Sequence, residues 1–525
     1  MVMPVKILIT DPLDEEGIEE LRKDFQVDVI LKISQEELVK KIADYDAIII
    51  RSGTKITREV IEAGRNLKVI GRAGVGVDNV DVQSATERGI LVINTPDANT
   101  ITTAEHAIAM MLAAARNIPQ ANEALRRGEW DRKKYTGVEL YEKTLGIIGL
   151  GRIGSEVAKR AMAFGMKVIA YDPYVSEERA KELGVELTSF EELLERSDFI
   201  SIHVPRTKET EKLIDEEALK KVKKGVIIVN CARGGIIDEE ALYRAIKRGD
   251  VRAAALDVFE KEPPGKIPLL TLENVVATPH LGASTREAQR RAALEIAREV
   301  RAALKGEFVR NAVNMPQIPA GSLPRIKPYL NLAEKLSKFA AQIAEGRIKE
   351  LEVIYRGDFT GMDLSLVTVS AVKGLLDPIL MSPVNYVNAP LIASQRGISI
   401  KESRIEEKRG ENLITVKLRG DSEVSVSGST FNGEIKLREI MGYSVDFELT
   451  KYTLITRHLD VPGMVGKVGT ILGEKRINIA SMQVGRERVG GEAIMLLSVD
   501  DPVTEDVLAE IRNTEGIEDA KFITL

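Results

Sequence analysis

The sequence predicts an α/β protein in several units: parallel sheets with covering helices as far as Asn311, an α+β unit beyond it, and a small βαββαβ unit at the end. Three observations carry this. Between Thr144 and Tyr174 an apolar run, Leu145 to Ile148, enters a glycine turn, a helix pattern follows to Phe164, and a second apolar run ends at Tyr171-Asp172. On either side, short apolar runs alternate with helix patterns, as strands buried on both faces require. From Tyr452 onward the order becomes strand, helix, strand, strand, helix, strand. At 525 residues the chain is too long for one core, and its length suggests about three or four domains.

Composition narrows the function. A net charge of -6 without basic clusters argues against nucleic acid or an anionic membrane as the main partner, and favours a small molecule. The longest apolar run, Ala107 to Ala115, is closed by His106 and Arg116 and is too short to span a bilayer. The N-terminus runs straight into a strand pattern with no signal-peptide architecture, so the expected location is the cytoplasm. With one cysteine, Cys231, neither an intramolecular disulfide nor a cysteine metal cluster can form, and no metal is expected.

Up to residue 98 the strand candidates are Val5 to Ile9, Val27 to Leu31, Ala47 to Ile50, Leu67 to Ile70 and Ile90 to Ile93. Two of them run out into arginine beside glycine, Arg51-Ser52-Gly53 and Arg72-Ala73-Gly74-Val75-Gly76. In an open parallel sheet the carboxyl ends of strands face the ligand crevice. Arginines and bare amides there would suit an anionic substrate, although ordinary turns with surface arginines would read the same way. Thr100 to Arg116 is a strong helix pattern, and His106 on it reads as a packed histidine with no carboxylate partner beyond Glu105. Trp130, in a basic exposed segment, reads as a packing anchor.

The glycines of Gly149-Leu150-Gly151-Arg152-Ile153-Gly154 have separate tasks. Gly149 permits the tight turn, Gly151 admits a pyrophosphate to the backbone, and Gly154 lets the helix pack closely on the strands of a Rossmann unit. Amides at the helix start then face the phosphates. Asp172 lies where a carboxylate accepts the adenosine ribose hydroxyls, and no Lys or Arg follows in Pro173-Tyr174, which favours NAD over NADP.

The alternation continues with Phe199 to Val204, Val226 to Asn230, Ala253 to Leu256 and Val275 to Ala277, each ending in a polar cluster on the same predicted edge. Their residue types match one reaction. His280 would move a proton, Glu262 would orient its ring, and Arg233, presented by a Gly-Gly turn, would clamp a carboxylate next to the reacting carbon. With a hydride carrier beside them, they describe a 2-hydroxy-acid dehydrogenase. His203 and Cys231 are expected in the cofactor wall.

Asn311 to Pro324 reads as a linker. Beyond it come helices at Tyr329 to Ala344 and Leu364 to Leu380, a strand at Leu351 to Tyr355, and short alternating strands from Ile398 to Phe447. The terminal unit is a ferredoxin-like βαββαβ, with strand candidates Leu454 to Arg457, Ile477 to Val484, Ala493 to Val499 and Lys521 to Thr524.

GLGRIG with Asp172, NCARGGIID around Arg233, LDVFEKEPP with Glu262 and TPHLGAST with His280 resemble the D-isomer-specific 2-hydroxyacid dehydrogenases, and RAGVGVDNVD, NTPDANTITTAEHA and the total length are similar to their long, serine-synthesising branch. The resemblance implies Arg233, Glu262 and His280 as the catalytic set. It implies that NAD is lined by Gly149, Gly151, Arg152, Ile153, Gly154, Asp172, His203, Val204, Pro205, Cys231, Ala232, Asp257, His280, Gly282 and Ala283. Substrate contacts would come from Arg51, Ser52, Gly53, Arg72, Val75 and Gly76, with Arg132 reaching in from a partner subunit. At Val75 some relatives carry a threonine, so a contact there would be through backbone. The implied organisation is a flavodoxin-like substrate domain (1–98 and 284–315), an inserted Rossmann NAD domain (99–283), an intervening, allosteric substrate-binding-like domain (316–450) and an amino-acid-binding ACT domain (451–525). In the last, His458, Asp460, Pro462, Gly463 and Asn478 would hold an effector. The implied activity is oxidation of 3-phosphoglycerate by a homo-oligomer, a dimer of dimers, with L-serine as feedback inhibitor. A glyoxylate or hydroxypyruvate reductase and a non-enzymatic NAD(H) sensor are the rivals.

Overall fold

A computed structural model describes residues 4–317, 321–380, 383–407, 410–431, 433–486 and 488–525. The first sheet is parallel, with strands β1 (Lys6–Ile9), β2 (Gln26–Val29), β3 (Ala47–Ile50), β4 (Val69–Arg72) and β5 (Leu91–Ile93) in the order β2-β1-β3-β4-β5. Successive residues point to opposite faces, and both faces are covered: Ile7 and Ile9 enter one core and Leu8 the other. This is why the strands read as unbroken apolar runs. The helix Arg286–Leu304 closes this unit from far along the chain, placing Ile296 and Val300 against Gly71 of β4, where a Cβ would lie 2.8 Å from Val300 Cγ2.

The second sheet holds β6 (Thr144–Ile148), β7 (Lys167–Tyr171), β8 (Glu186–Leu187), β9 (Phe199–Ile202), β10 (Val226–Asn230), β11 (Val251–Leu256) and β12 (Val275–Ala277). All are parallel, in the order β12-β11-β10-β9-β6-β7-β8. The winding reverses beside β6, so the glycine turn that follows β6 sits at the switch point of a doubly wound sheet. The helix Thr100–Arg116, with the bounds the sequence predicts, packs Ala104, Ala107, Met111 and Ala115 into the core on one face.

The third sheet has β13 (Ile348–Gly357), β14 (Ser399–Glu406), β15 (Leu413–Gly420), β16 (Glu423–Phe431), β17 (Glu434–Ile440) and β18 (Tyr443–Glu448), in the order β14-β13-β15-β16-β17-β18. Only β13 and β14 are parallel. Its strands, 6 to 10 residues each, run longer than the short strands the sequence suggests. The helix Leu323–Ile343 also starts earlier than expected: Pro324 falls in its first turn, where no backbone donor is needed. The expected linker is therefore shorter. Residues 311–314 are tied to the first sheet through Val313 N to Val92 O (2.7 Å) and Asn314 Nδ2 to Ile90 O (2.9 Å), while residues 318–320 lie outside the described residues.

The last sheet is antiparallel, with β19 (Tyr452–Leu459), β20 (Ile479–Arg486), β21 (Glu492–Val499) and β22 (Ile517–Thr524) in the order β20-β21-β19-β22. One face, with Leu454, Met495 and Leu497, packs on the helices Met464–Glu474 and Glu505–Arg512. The other, with Ile455, Leu496 and Ile523, joins the core of the third unit. Among the described residues no helix is long and apolar enough to cross a membrane.

Candidate active site

The glycine turn has the three properties its sequence predicts. Gly149 has φ +94°, and a Cβ on it would lie 2.8 Å from His203 O; a Cβ on Gly154 would lie 2.0 Å from Gly149 O, so the helix Arg152–Ala163 sits directly on the turn. A Cβ on Gly151 would meet nothing within 4 Å, which leaves the backbone open where a pyrophosphate would approach. The helix start has no side-chain cap, so its first amides are available to phosphates. These features fit a dinucleotide. Asp172 braces the turn by accepting Leu150 N at 2.8 Å and Tyr174 N at 2.9 Å. Arg152 pairs with Asp97 at 2.9 Å, on the chain that crosses between the two sheets, while Ile153 fills the core on that face.

His203, Val204 and Pro205 leave β9 against Gly149. His203 Nε2 is 2.8 Å from Ser201 Oγ, and burial pushes its pKa down to about 4, so the ring is neutral. Cys231 and Ala232 leave β10. Burial, then the charge of Asp257, raises the Cys231 thiol well above its ordinary range, which suits a wall residue and not a nucleophile.

The next three strand ends form one connected edge. Asn230 Nδ2 donates to Arg233 O (2.9 Å) and its Oδ1 accepts Ala232 N (3.0 Å), fixing the turn that presents Arg233. Gly234 is packed on Phe259 O so closely that a Cβ would lie at 1.7 Å. Phe259 N in turn donates to Glu262 Oε1 (3.2 Å), and Glu262 Oε2 lies 2.7 Å from His280 Nδ1. The ring is held from Nδ1, and Glu262 makes no claim on Nε2. His280 itself has φ +54°, a left-handed conformation that a non-glycine residue adopts only when its surroundings hold it there.

On the first sheet, the strand ends deliver a cluster of cations. Arg72 is half-buried, its Nε lacks a hydrogen-bond partner among the described residues, and its pKa is pushed down to about 10, by burial first and then by Arg233 and Arg51. Arg233 reaches this cluster from the second sheet. Its Nε lies 3.3 Å from Asp78 Oδ2, and a Cβ on Gly76 would lie 2.2 Å from its Nη2. Residues the sequence reading passed over hold the loops in place. Asp11 Oδ2 accepts Arg51 N (2.6 Å) and Thr54 N (3.1 Å) beside Ser52 and Gly53, Asn79 Nδ2 donates to Arg51 O (2.7 Å), and Asn94 Nδ2 donates to Val75 O (2.6 Å). Asp11 and Asn94 follow β1 and β5, so the strand-end rule that found the arginines would have found them too.

Two expectations need correction. His106 does have a carboxylate beyond Glu105: its Nε2 is 3.3 Å from Asp257 Oδ1, on a strand end 151 positions away by number that no local pattern reveals. Trp130 is not a packing anchor within the protomer, being 79% exposed, and Arg132 beside it is exposed and makes no hydrogen bond or ion pair among the described residues. Asp257 is fully buried, and its carboxylate takes Thr278 Oγ1, Leu281 N and Gly282 N at 2.6, 2.7 and 2.8 Å. Ala283 follows in the same loop.

In the terminal unit the candidate effector groups have partners of their own. Asp460 Oδ2 accepts Gly490 N (3.2 Å) and Arg486 Nη1 (3.0 Å), which together hold its carboxyl below the usual range. Asn478 Nδ2 donates to Asp500 Oδ2 (2.7 Å), and His458 is 2% exposed, its pKa lowered chiefly by burial. Pro462 and Gly463 stay exposed, and Gly463, at φ +98°, opens the helix Met464–Glu474 without a side-chain cap.

Three family models match the chain: the D-isomer specific 2-hydroxyacid dehydrogenase NAD binding domain over residues 108–282, the D-3-phosphoglycerate dehydrogenase intervening domain over 325–441, and the ACT domain over 452–516. D-3-phosphoglycerate dehydrogenase of Methanocaldococcus jannaschii is 50% identical over 99% of this chain and 100% of its own, and that of Archaeoglobus fulgidus is 49% identical over 99% and 100%. A crystal structure of D-lactate dehydrogenase from Aquifex aeolicus with NAD and lactic acid is 34% identical, with a TM-score of 0.53, over 59% of this chain and 100% of that one. The chain belongs to the D-3-phosphoglycerate dehydrogenase family of the D-isomer-specific 2-hydroxyacid dehydrogenases.

Proposed function

We propose that the protein oxidises D-3-phosphoglycerate to 3-phosphohydroxypyruvate with NAD, the step that opens L-serine synthesis, and that L-serine restrains it through the ACT unit. The observation that carries the substrate is the convergence of Arg51 and Arg72 from the first sheet with Arg233 from the second, the buried Nε of Arg72 lacking a hydrogen-bond partner among the described residues. Such a group is costly to leave unmatched and is suited to a dianion. Arg233 would hold the carboxylate, and Arg51 and Arg72 the phosphate. Arg132, exposed and unpaired among the described residues, is available to complete another subunit's phosphate site in a homo-oligomer, proposed to be a dimer of dimers.

In the oxidative direction, bound NAD supplies the hydride acceptor for the C–H electron pair of the alcohol carbon. His280 Nε2 takes the hydroxyl proton as the C–O bond becomes C=O, and Glu262 at 2.7 Å from Nδ1 fixes the ring and faces the positive charge that develops. Reduction reverses each transfer. A glyoxylate or hydroxypyruvate reductase would need the same His280, Glu262 and Arg233 but gives Arg51 and Arg72 no anion to bind. The test is NADH oxidation with 3-phosphohydroxypyruvate, glyoxylate and hydroxypyruvate side by side, each with and without L-serine. A strong preference for the phosphorylated acid, suppressed by serine, is expected; turnover of glyoxylate alone would move the assignment to the reductase.

A further inference from the structure

We infer that His106 is a positioning residue for the proton-transfer step, acting through Asp257 on the loop that carries His280. This rests on the reading of His280 as the acid and base. Three consecutive amides of that loop are captured by one residue: His280 N donates to Asp257 O (2.9 Å), Leu281 N to Oδ1 (2.7 Å) and Gly282 N to Oδ2 (2.8 Å). Asp257 thereby over-determines the left-handed backbone at His280, at φ +54°, that brings Nδ1 to Glu262. Its orientation depends on what holds the remaining edge of the carboxylate. Oδ1 also takes Thr278 Oγ1 at 2.6 Å, and His106 Nε2 stands 3.2 Å from that hydroxyl and 3.3 Å from Oδ1 itself. With Thr278 donating its proton to Asp257, the tautomer that satisfies both contacts carries hydrogen on Nε2.

The same helix face makes two further bonds to this loop region. Thr103 Oγ1 donates to Gly282 O (3.0 Å), and Thr102 Oγ1 lies 3.3 Å from Thr285 Oγ1. Positions 102, 103 and 106 share one side of the helix Thr100–Arg116, which begins where the chain crosses from the first sheet to the second. Among these contacts His106 is the one that reaches the buried carboxylate, and a buried anion gains most from an added donor. A histidine that merely filled space would tolerate an apolar replacement of similar size.

The experiment compares wild type with His106→Leu, His106→Gln and His106→Asn, using NADH oxidation at saturating 3-phosphohydroxypyruvate, NADH binding by fluorescence, and thermal unfolding. Gln places an amide nitrogen where Nε2 stands, whereas Asn reaches only as far as Nδ1. His106→Leu is expected to lower kcat about 10-fold, the rate equivalent of one charge-assisted hydrogen bond, with KM and NADH affinity within about 3-fold. His106→Gln should restore most of kcat, and His106→Asn should not. A His106→Leu enzyme that binds NADH and keeps wild-type kcat overturns the inference, as does equal loss in the Gln and Asn variants. Wild type and His280→Ala run alongside: an active His280→Ala enzyme would refute the proton-transfer reading itself, independently of His106.

Discussion

Arg72 and Asp460 are the most informative charged groups in the two halves of the molecule, and they stand in opposite states. Arg72 is half-buried beside other cations with its Nε unmatched among the described residues, whereas the Asp460 carboxylate is already taken by Arg486 and Gly490 at the β20–β21 hairpin. An unmatched group near like charges is held in place by the fold for something that arrives from outside. A matched group must exchange partners before it can bind a ligand, which lowers affinity and makes a site easier to regulate than to fill. The dehydrogenase half is thus pre-organised, and the ACT half is self-satisfied.

The largest effect expected is at the reacting atoms. His280→Ala should lower kcat by about 10²–10⁴-fold, the usual worth of a positioned acid-base group, while NADH still binds. Next, Arg72→Ala should lower kcat/KM for 3-phosphohydroxypyruvate by about 10-fold or more and leave glyoxylate turnover nearly unchanged, since in the proposed site only the phosphorylated acid uses that guanidinium. A uniform loss across substrates would mean that Arg72 supports the loop and not the ligand. In the other half, Asp460→Ala should abolish serine inhibition with catalysis intact. Arg486→Ala sharpens the contrast, because freeing the carboxylate of its partner should raise serine affinity several-fold by calorimetry; an unchanged affinity would remove Asp460 from the effector site. Linkage also requires that, if serine weakens substrate binding, substrate weakens serine binding equally.

The last effect concerns pH. His203 has its folded pKa lowered to about 4 from 6.5, so between those values the unfolded chain binds more protons than the folded one. Its contribution is therefore complete above about pH 6.5 and is lost as pH falls towards 4. At pH 5 that loss is about 2 kcal/mol, and His203→Gln should flatten the acid limb of thermal stability over this window.

Much of the dehydrogenase half was legible because parallel strands buried on both faces leave continuous apolar runs, and the strand-end rule converts their ends into a site. Arg233, Glu262 and His280 became candidates that way, and the glycine turn was legible from the spacing of its glycines and Asp172. What escaped was interaction between distant elements. The His106 contact joins a helix to a strand end far along the sequence, and neither periodicity nor motif encodes it. Trp130 was misjudged because a lone aromatic in a basic segment says nothing about which surface covers it. In the third unit the strands of an antiparallel sheet tolerate polar positions on their outer face, so β14 to β18 were legible as strands but not in length. The partners of Asp460 were missed because Arg486 and Gly490 lie at the β20–β21 hairpin, which the pairing of β21 on β19 brings to Asp460, a neighbourhood visible only once the register is known.

The proposed role of the arginine cluster is to select a phosphorylated substrate. It is tested most directly by the ratio of kcat/KM for 3-phosphohydroxypyruvate to that for glyoxylate, measured in the wild type and in Arg72→Ala under the same conditions. The account predicts a large ratio in the wild type that falls by about 10-fold or more in the variant, almost wholly through the phosphorylated acid. A wild-type ratio near one, or a ratio that the substitution leaves untouched, would contradict it.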